Sequence, residues 1–216
     1  MSSTETAAVP GDATATGVAT GNTYDKYGST NPVVRRLMDG FESTLDALWQ
    51  QAAPASILDV GCGEGVLTHK WAERLGDGRI VGIDLDDEGL KAEWQKRQRP
   101  NLEYRVQEAT ALPFTDGEFE LVSAIEVLEH VSEPANTIAE MARVASKWVL
   151  VSVPREPLWR GLNMARGAYL KELGNTPGHV NHWSKRSFVR ELSRVGTVVE
   201  ARSPFPWTML LVRVDA

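Results

Sequence analysis

The sequence holds a single cysteine, Cys62, so no disulfide can form within the chain and a reduced cytosolic thiol is expected. Long apolar runs are missing too. None approaches the roughly 20 residues that a membrane helix needs, and the N-terminus lacks a basic start followed by an apolar core. A soluble, cytoplasmic protein without a membrane span is the expectation. Positive charge is in short supply: 23 lysines and arginines face 29 acids, a net charge of -6 that speaks against generic nucleic-acid binding. The shortage is uneven, because residues 151–216 hold ten basic and five acidic side chains, which makes the last third of the chain basic. Residues 1–22 lack large apolar side chains and are mostly Ser, Thr, Ala and Gly; they cannot offset the entropy of being ordered, so a disordered tail is expected there. The rest, 23–216, suits one domain with a sizeable core, and no internal repeat or second domain shows.

What is present is a strand, a glycine turn and a helix in immediate succession. Ile57, Leu58 and Val60 read as a short buried strand, glycines stand at 61, 63 and 65, and Val66, Leu67, Lys70, Trp71 and Leu75 follow at helical spacing. Glycines are needed where a turn must be tight and a polar ligand must lie against bare backbone near the free amides of a helix. The dinucleotide fingerprint G-x-G-x-x-G, counted from Gly61, requires a glycine at 66, where Val66 stands. Alone, such a turn is also compatible with a structural bend in an unrelated α/β protein.

Asp59-Val60-Gly61-Cys62-Gly63-Glu64-Gly65 resembles the D-x-G-x-G-x-G first motif of the class I S-adenosylmethionine-dependent methyltransferases. That family has a Rossmann-like, mostly parallel sheet of seven strands with helices on both faces. The resemblance implies that Asp59, Gly61, Gly63 and Gly65 contact the cofactor. Further along, Arg79 to Leu85 reads as a second strand ending on Asp84, a carboxylate placed to accept hydrogen bonds from both ribose hydroxyls of an adenosine. The alternative for Asp84 is a helix N-cap, which suits Asp86 or Asp87 better. Leu85 is counted with the cofactor residues. Leu102 to Val106 is the third strand, and Gln107-Glu108-Ala109-Thr110-Ala111-Leu112-Pro113-Phe114 resembles the G-D-A-x-x-L-P-F stretch of family members, so Glu108 and the backbone of Ala109 are expected at the adenine edge. Here Glu and Gln replace the family's Asp and Gly.

Upstream, Asn31 and Pro32 open a helix whose Val33, Leu37, Phe41, Leu45 and Leu48 share a face. In the resembled family such a segment lies over the cofactor, which makes Tyr24 and Tyr27 candidate lid residues, or else anchors of the helix. Downstream, Phe119 to Glu126 is the fourth strand, Pro134 to Val144 a helix and Trp148 to Val153 the fifth strand. A helix from Ser184 to about Val195, then strands Thr197 to Arg202 and Trp207 to Val214, give the antiparallel finish expected of the fold.

The loop after the fourth strand carries Glu126, Glu129 and His130, and lacks the N-P-P-Tyr type sequence of nucleobase-amine methylases. The Glu-Val-Leu-Glu-His run resembles the ubiquinone-biosynthesis O-methyltransferases and the small-RNA 2′-O-methyltransferases. It implies either a divalent metal such as magnesium held by Glu126, Glu129, His130 and a histidine from a distant loop, His179 first and His182 next, or, without metal, His130 acting as general base or holding the loop while Glu126 touches the cofactor and is counted with the cofactor residues. Acceptor choice is expected within 154–183, where Leu158, Leu162, Ala165 and Tyr169 would share a helical face, Trp159, Tyr169 and Trp183 would cover an apolar acceptor, and Arg160 and Arg166 would meet its carboxylate or phosphate. A helical lid with solvated arginines is the plainer alternative. The expected activity is methyl transfer from S-adenosylmethionine to a small molecule, most readily at the oxygen of a phenol or quinol. An RNA 2′-O-methyltransferase and a non-catalytic cofactor-binding protein are the alternatives, with nucleic acid disfavoured by the acidic first two thirds.

Overall fold

The computed structural model describes residues 31–214. The expected tail over 1–22, and Tyr24 and Tyr27, lie outside the described residues. The element order is α1 (Pro32–Ala52), β1 (Ser56–Val60), α2 (Val66–Leu75), β2 (Arg79–Asp84), α3 (Glu88–Gln95), β3 (Leu102–Val106) and β4 (Phe119–Ile125), followed by α4 (Pro134–Val144), β5 (Ala145–Pro154), α5 (Leu158–Ala165), α6 (Lys185–Leu192), β6 (Gly196–Arg202) and β7 (Trp207–Val214).

Helix α1 starts where the Asn31 side chain accepts a hydrogen bond from Val33 N–H at 2.9 Å, with Pro32 in the first turn, and it buries Met38, Phe41, Leu45, Leu48 and Ala52 along one face. The cap contributes about 1 kcal/mol. Each fully buried large apolar side chain contributes roughly 1.5–3 kcal/mol, so packing rather than capping decides where α1 lies. Helix α3 opens on Asp87, whose carboxylate accepts from Leu90 N–H at 3.0 Å. That leaves Asp84 outside the capping role.

The seven strands form one sheet in the order β3-β2-β1-β4-β5-β7-β6. Strands β1 to β5 are mutually parallel, and β7 runs antiparallel to both β5 and β6. The class I Rossmann-like arrangement expected from the sequence is the one observed. Because the parallel strands are covered on both faces, consecutive residues feed opposite cores. Ile57 joins α1 and α2 on one side through Phe41, Leu45 and Trp71, while Leu58 joins α4 and α6 on the other through Ile138, Met141 and Phe188. The chain leaves β1 towards β2 on one side, and β4 lies on the other, so a crevice opens beyond the carboxyl ends of β1 and β4, the place where such sheets bind ligands.

Several boundaries differ from the sequence reading. Strand β4 stops at Ile125, which puts Glu126 in the loop with a left-handed φ of +61°. Helix α5 ends at Ala165, because Gly167 and Tyr169 take φ of +75° and +53°, so Tyr169 sits on a turn and not on the helical face that would have joined it to Leu162. Among the described residues no helix is long and apolar enough to cross a membrane.

Candidate active site

At the end of β1, Gly61, Gly63 and Gly65 take φ of +68°, +53° and +76°. The N–H groups of Gly61 and Cys62 both donate to Ile83 O, at 2.8 and 3.0 Å, and Gly65 N–H donates to Cys62 O at 2.9 Å. The three glycines serve different needs. A Cβ on Gly61 would come within 2.4 Å of Val127 Cγ2 and one on Gly65 within 2.4 Å of the Tyr104 hydroxyl, whereas one on Gly63 would meet nothing within 4 Å. Gly63 lines the large cavity. Side chains are therefore excluded at 61 and 65 by packing, and at 63 the bare backbone leaves room for whatever occupies the cavity.

Asp84 sits at the end of β2, with Oδ2 accepting from Gly63 N–H at 2.7 Å and Oδ1 from Leu85 N–H at 2.8 Å. Each carboxylate oxygen has a second lone pair, so two further donors can be accepted. Burial raises the Asp84 carboxyl above its ordinary range, and the two backbone donors pull the other way. Asp59 is buried at the cavity wall, and its oxygens accept from Thr68 Oγ1 at 2.6 Å and Ser123 Oγ at 2.7 Å, tying β1 to α2 and β4. Burial pushes its carboxyl up to about 6. Burial also drives the Cys62 thiol upward, helped by the charges of Asp59 and Asp84, which leaves it unreactive.

The cavity encloses about 1050 Å³ and runs from the glycine turn, past Leu85, Glu108 and Ala109, to the loop after β4 and on to α1, α5 and the start of β7. Three expected residues converge there. Glu129, His130 and His179 place potential ligand atoms within 4.8 Å of one another, although His179 comes from a loop 49 positions later. The two segments are joined by backbone: Val180 and Asn181 N–H both donate to Glu129 O, at 2.9 and 3.1 Å, and Asn181 Nδ2 donates to Leu128 O and Val131 O. His130 Nδ1 lies 3.0 Å from Gly178 O. A carbonyl oxygen only accepts, so Nδ1 carries hydrogen and, in the neutral ring, Nε2 carries the lone pair.

Glu126 is not one of that group; it lines the same cavity, and its carboxylate has neighbours of its own. Its Oε1 accepts from Ser152 Oγ at 2.9 Å and its Oε2 from Trp207 Nε1 at 2.6 Å. His182 is exposed and bonds Asn175 Oδ1 at 2.7 Å, outside the cavity.

Residues 58–148 match the family described as "Methyltransferase domain". That segment, less than half of the chain, is a methyltransferase domain, and the sheet it belongs to is that of the class I S-adenosylmethionine-dependent enzymes. It is 37% identical over 106 residues to a ubiquinone biosynthesis O-methyltransferase of Albidiferax ferrireducens, an alignment covering 46% of this chain and 41% of that protein. A norajmaline N-methyltransferase of Rauvolfia serpentina is 37% identical over 97 residues, covering 43% and 33%. The chain thus spans less than half the length of the curated relatives it matches. The crystal structure of a magnesium protoporphyrin IX methyltransferase from Synechocystis PCC 6803 with bound SAH has a TM-score of 0.66 at 17% identity, covering 87% of this chain and 90% of that one.

The methyltransferase domain fits its cofactor on its own geometry. Open space at Gly63 admits a ligand against the backbone, and Asp84 can accept from two more donors. The charge also suits a sulfonium: among the described residues, Asp59, Glu64, Asp84, Glu108, Glu126 and Glu129 line the cavity, against Arg166 alone among the lysines and arginines.

The expectation of an acceptor pocket over 154–183 meets a divided arrangement. Trp159, Leu162, Ala165, Arg166 and Tyr169 line the cavity. Trp183 does not; its ring packs on Phe188 at 5.4 Å and joins the sheet core. Arg160 donates through Nε to Leu173 O at 3.0 Å and also lies away from the cavity wall. Sequence reasoning missed the aromatic wall that replaces them: Trp207 packs on Phe41 at 4.8 Å and on Trp159 at 5.8 Å, and Trp159 lies 6.2 Å from His179, which in turn meets His130 edge-on at 4.8 Å. Phe41 was legible only as part of an apolar helix face, and nothing around Trp207 marks it locally.

Proposed function

We propose that this domain transfers the methyl group of S-adenosylmethionine to a hydroxyl oxygen of a small aromatic molecule, a phenol or quinol. The observation that carries the reading is the convergence of Glu129, His130 and His179 on the cavity into which the glycine turn opens. S-adenosylmethionine supplies an electrophilic methyl on a sulfonium, displaced in line by the acceptor oxygen, with S-adenosylhomocysteine (SAH) as the leaving group. The protein's part is alignment and proton removal. Gly63 and Asp84 hold the adenosyl portion, with Glu108 and the Ala109 backbone at the adenine edge. The aromatic wall of Trp159, Trp207 and Phe41 holds the acceptor ring. His130 Nε2 takes the hydroxyl proton while Nδ1–H stays on Gly178 O, and His179, packed edge-on, fixes the plane of the ring.

A second reading is favoured by the same three residues. One carboxylate and two imidazoles would hold a divalent cation, and that donor set suits zinc, manganese or iron better than magnesium. A cation there would lower the pKa of the acceptor hydroxyl by direct coordination. Assay after exhaustive chelation, with single metals restored in turn, separates the two: full activity in excess chelator removes the metal.

The main test supplies isotope-labelled S-adenosylmethionine with a panel of phenols, quinols, carboxylates and short RNAs. Label entering a phenol or quinol is the expected result. Label entering RNA instead, with binding that weakens steeply as salt rises, would overturn the small-molecule reading. Calorimetric uptake of SAH with no transfer to any acceptor would favour a non-catalytic cofactor-binding protein.

A further inference from the structure

Three glycines in left-handed conformations make a turn with little intrinsic rigidity, since glycine samples positive and negative φ almost equally. Something outside the turn has to fix it. Two aromatic residues that no motif marks do so. Trp94, buried in α3 at 5% exposure, donates its Nε1–H to Gly63 O at 2.7 Å. Tyr104, in the middle of β3, donates its hydroxyl to Gly65 O at 3.1 Å. Their rings stack, with centroids 5.3 Å apart and planes 4° from parallel, so the two donors form one unit.

We propose that the stacked Trp94–Tyr104 pair is the positioning device of the cofactor turn: it pins the Gly63 and Gly65 carbonyls on the α3 and β3 side, and through Gly63 it sets Asp84. The inference rests on the methyltransferase reading for what the turn binds, and on the hydrogen bonds above for the device itself.

Gly63 is held at both ends of its backbone. Its carbonyl is bonded to Trp94 and its N–H to Asp84 Oδ2. With the carbonyl fixed by Trp94, a change of φ or ψ at Gly63 would swing its N–H off Asp84, which would lose one of its two donors and with it the orientation in which its remaining lone pairs face a sugar. Tyr104 reaches the turn by leaning across β2. Gly82 is its register partner on that strand, and a Cβ at 82 would lie 3.0 Å from Tyr104 Cδ1, 3.1 Å from Cys62 Sγ and 3.1 Å from Thr68 Cγ2. A Cβ at 65 would strike the Tyr104 hydroxyl at 2.4 Å. Tyr104 thus bears on two glycines: it passes over Gly82, which Cys62 and Thr68 also crowd, and bonds Gly65, whose left-handed φ favours glycine as well. Burial keeps the Tyr104 phenol protonated well above its ordinary range, so the hydroxyl remains a donor.

The test compares the wild type with Tyr104→Phe, which deletes one hydroxyl and keeps the stack, Trp94→Phe, which deletes the indole N–H, and Gly82→Ala, which obstructs the path of the tyrosine. SAH binding by calorimetry is expected to weaken roughly threefold to tenfold in each hydrogen-bond variant, the worth of one net hydrogen bond. Amide hydrogen exchange is expected to accelerate at residues 61–66 and to stay at wild-type rates in β4 and β5. A merely structural role predicts otherwise: faster exchange across the whole sheet, a lower melting temperature and an unchanged SAH dissociation constant. That outcome, or unchanged exchange in the turn of a well-folded Tyr104→Phe, overturns the proposal. If the wild type itself takes up no SAH, the cofactor reading fails, while the exchange comparison still decides whether the pair holds the turn.

Discussion

At one end of the cavity the chain presents backbone; at the other it presents side chains. The cofactor end is made from the turn after β1, the tip of β2 and the amides that Asp84 accepts, all drawn from neighbouring parallel strands. The end we propose for the acceptor is walled by Phe41 of α1, Trp159 of α5 and Trp207 of β7, residues as much as 166 positions apart in the sequence. Backbone geometry can be demanded by a short pattern of glycines. A wall of indoles can be assembled from anywhere the fold brings chains together.

Substitutions that strike one end and spare the other sharpen this contrast. The largest expected effect is on turnover: His130→Ala should lower it by roughly 10² to 10⁴, the usual worth of a general base, with SAH affinity within about twofold of wild type on the same grounds. A loss of SAH binding in that variant would break the separation of the two ends. Next comes Asp84→Asn, where SAH affinity should fall on the order of tenfold to a hundredfold, since hydrogen bonds to a charged acceptor are worth about 1.5–3 kcal/mol. Calorimetry checks it. A smaller change is expected from Glu126→Ala, which frees Trp207 Nε1 and Ser152 Oγ: acceptor KM should rise several-fold, within the cost of about one hydrogen bond, and SAH affinity should hold. An SAH effect larger than the KM effect would assign Glu126 to the cofactor end after all.

Asp59→Asn should have the least effect on turnover, because both Asp59 oxygens are already occupied by Thr68 and Ser123. Its signature is in the pH dependence of stability. Burial holds the Asp59 carboxyl at about 6 against an ordinary 3.8. The folded state therefore binds this proton more tightly than the unfolded state. Stability from this group is full below pH 3.8 and is lost as pH rises through about 6, a decline on the order of 3 kcal/mol. Urea melts across pH 4 to 7 should show that decline shrinking in Asp59→Asn. An unaltered slope would mean that another group carries it.

The sequence revealed the two ends unequally, for the same reason that they differ. Gly61, Gly63, Gly65 and Asp84 were legible because their requirement is local: a positive φ, a bare Cα, a strand that ends on an acid. Strands β3 and β7 and helix α4 were legible to the residue from periodicity and Pro134. The bracing role of Glu126 was illegible because its partners, Ser152 and Trp207, lie 26 and 81 residues away, the second of them in the aromatic wall. Arg160 and Trp183 were misassigned because helical spacing says which residues share a face and not what that face meets; one bonds the Leu173 carbonyl and the other packs on Phe188. Tyr169 escaped the helix because Gly167 turned the chain first. Trp94 and Tyr104 left no trace in any motif, since a stacked pair across a helix and a strand has no fixed spacing.

The hydrogen bonds that join residues 178–181 to the turn after β4 have a bearing on how such a protein diversifies. His179 rides on a segment clasped by Glu129, Leu128 and Val131 carbonyls, with His130 returning a bond to Gly178. Its position is set by that clasp and by Thr176, whose carbonyl accepts the His179 N–H and whose hydroxyl is bonded by Trp159 and Asn163 of α5, rather than by residues 166–173. Mutations can therefore recut that stretch for a new acceptor while the imidazole pair stays in tune, so one scaffold can found many lineages without reinventing its chemistry each time.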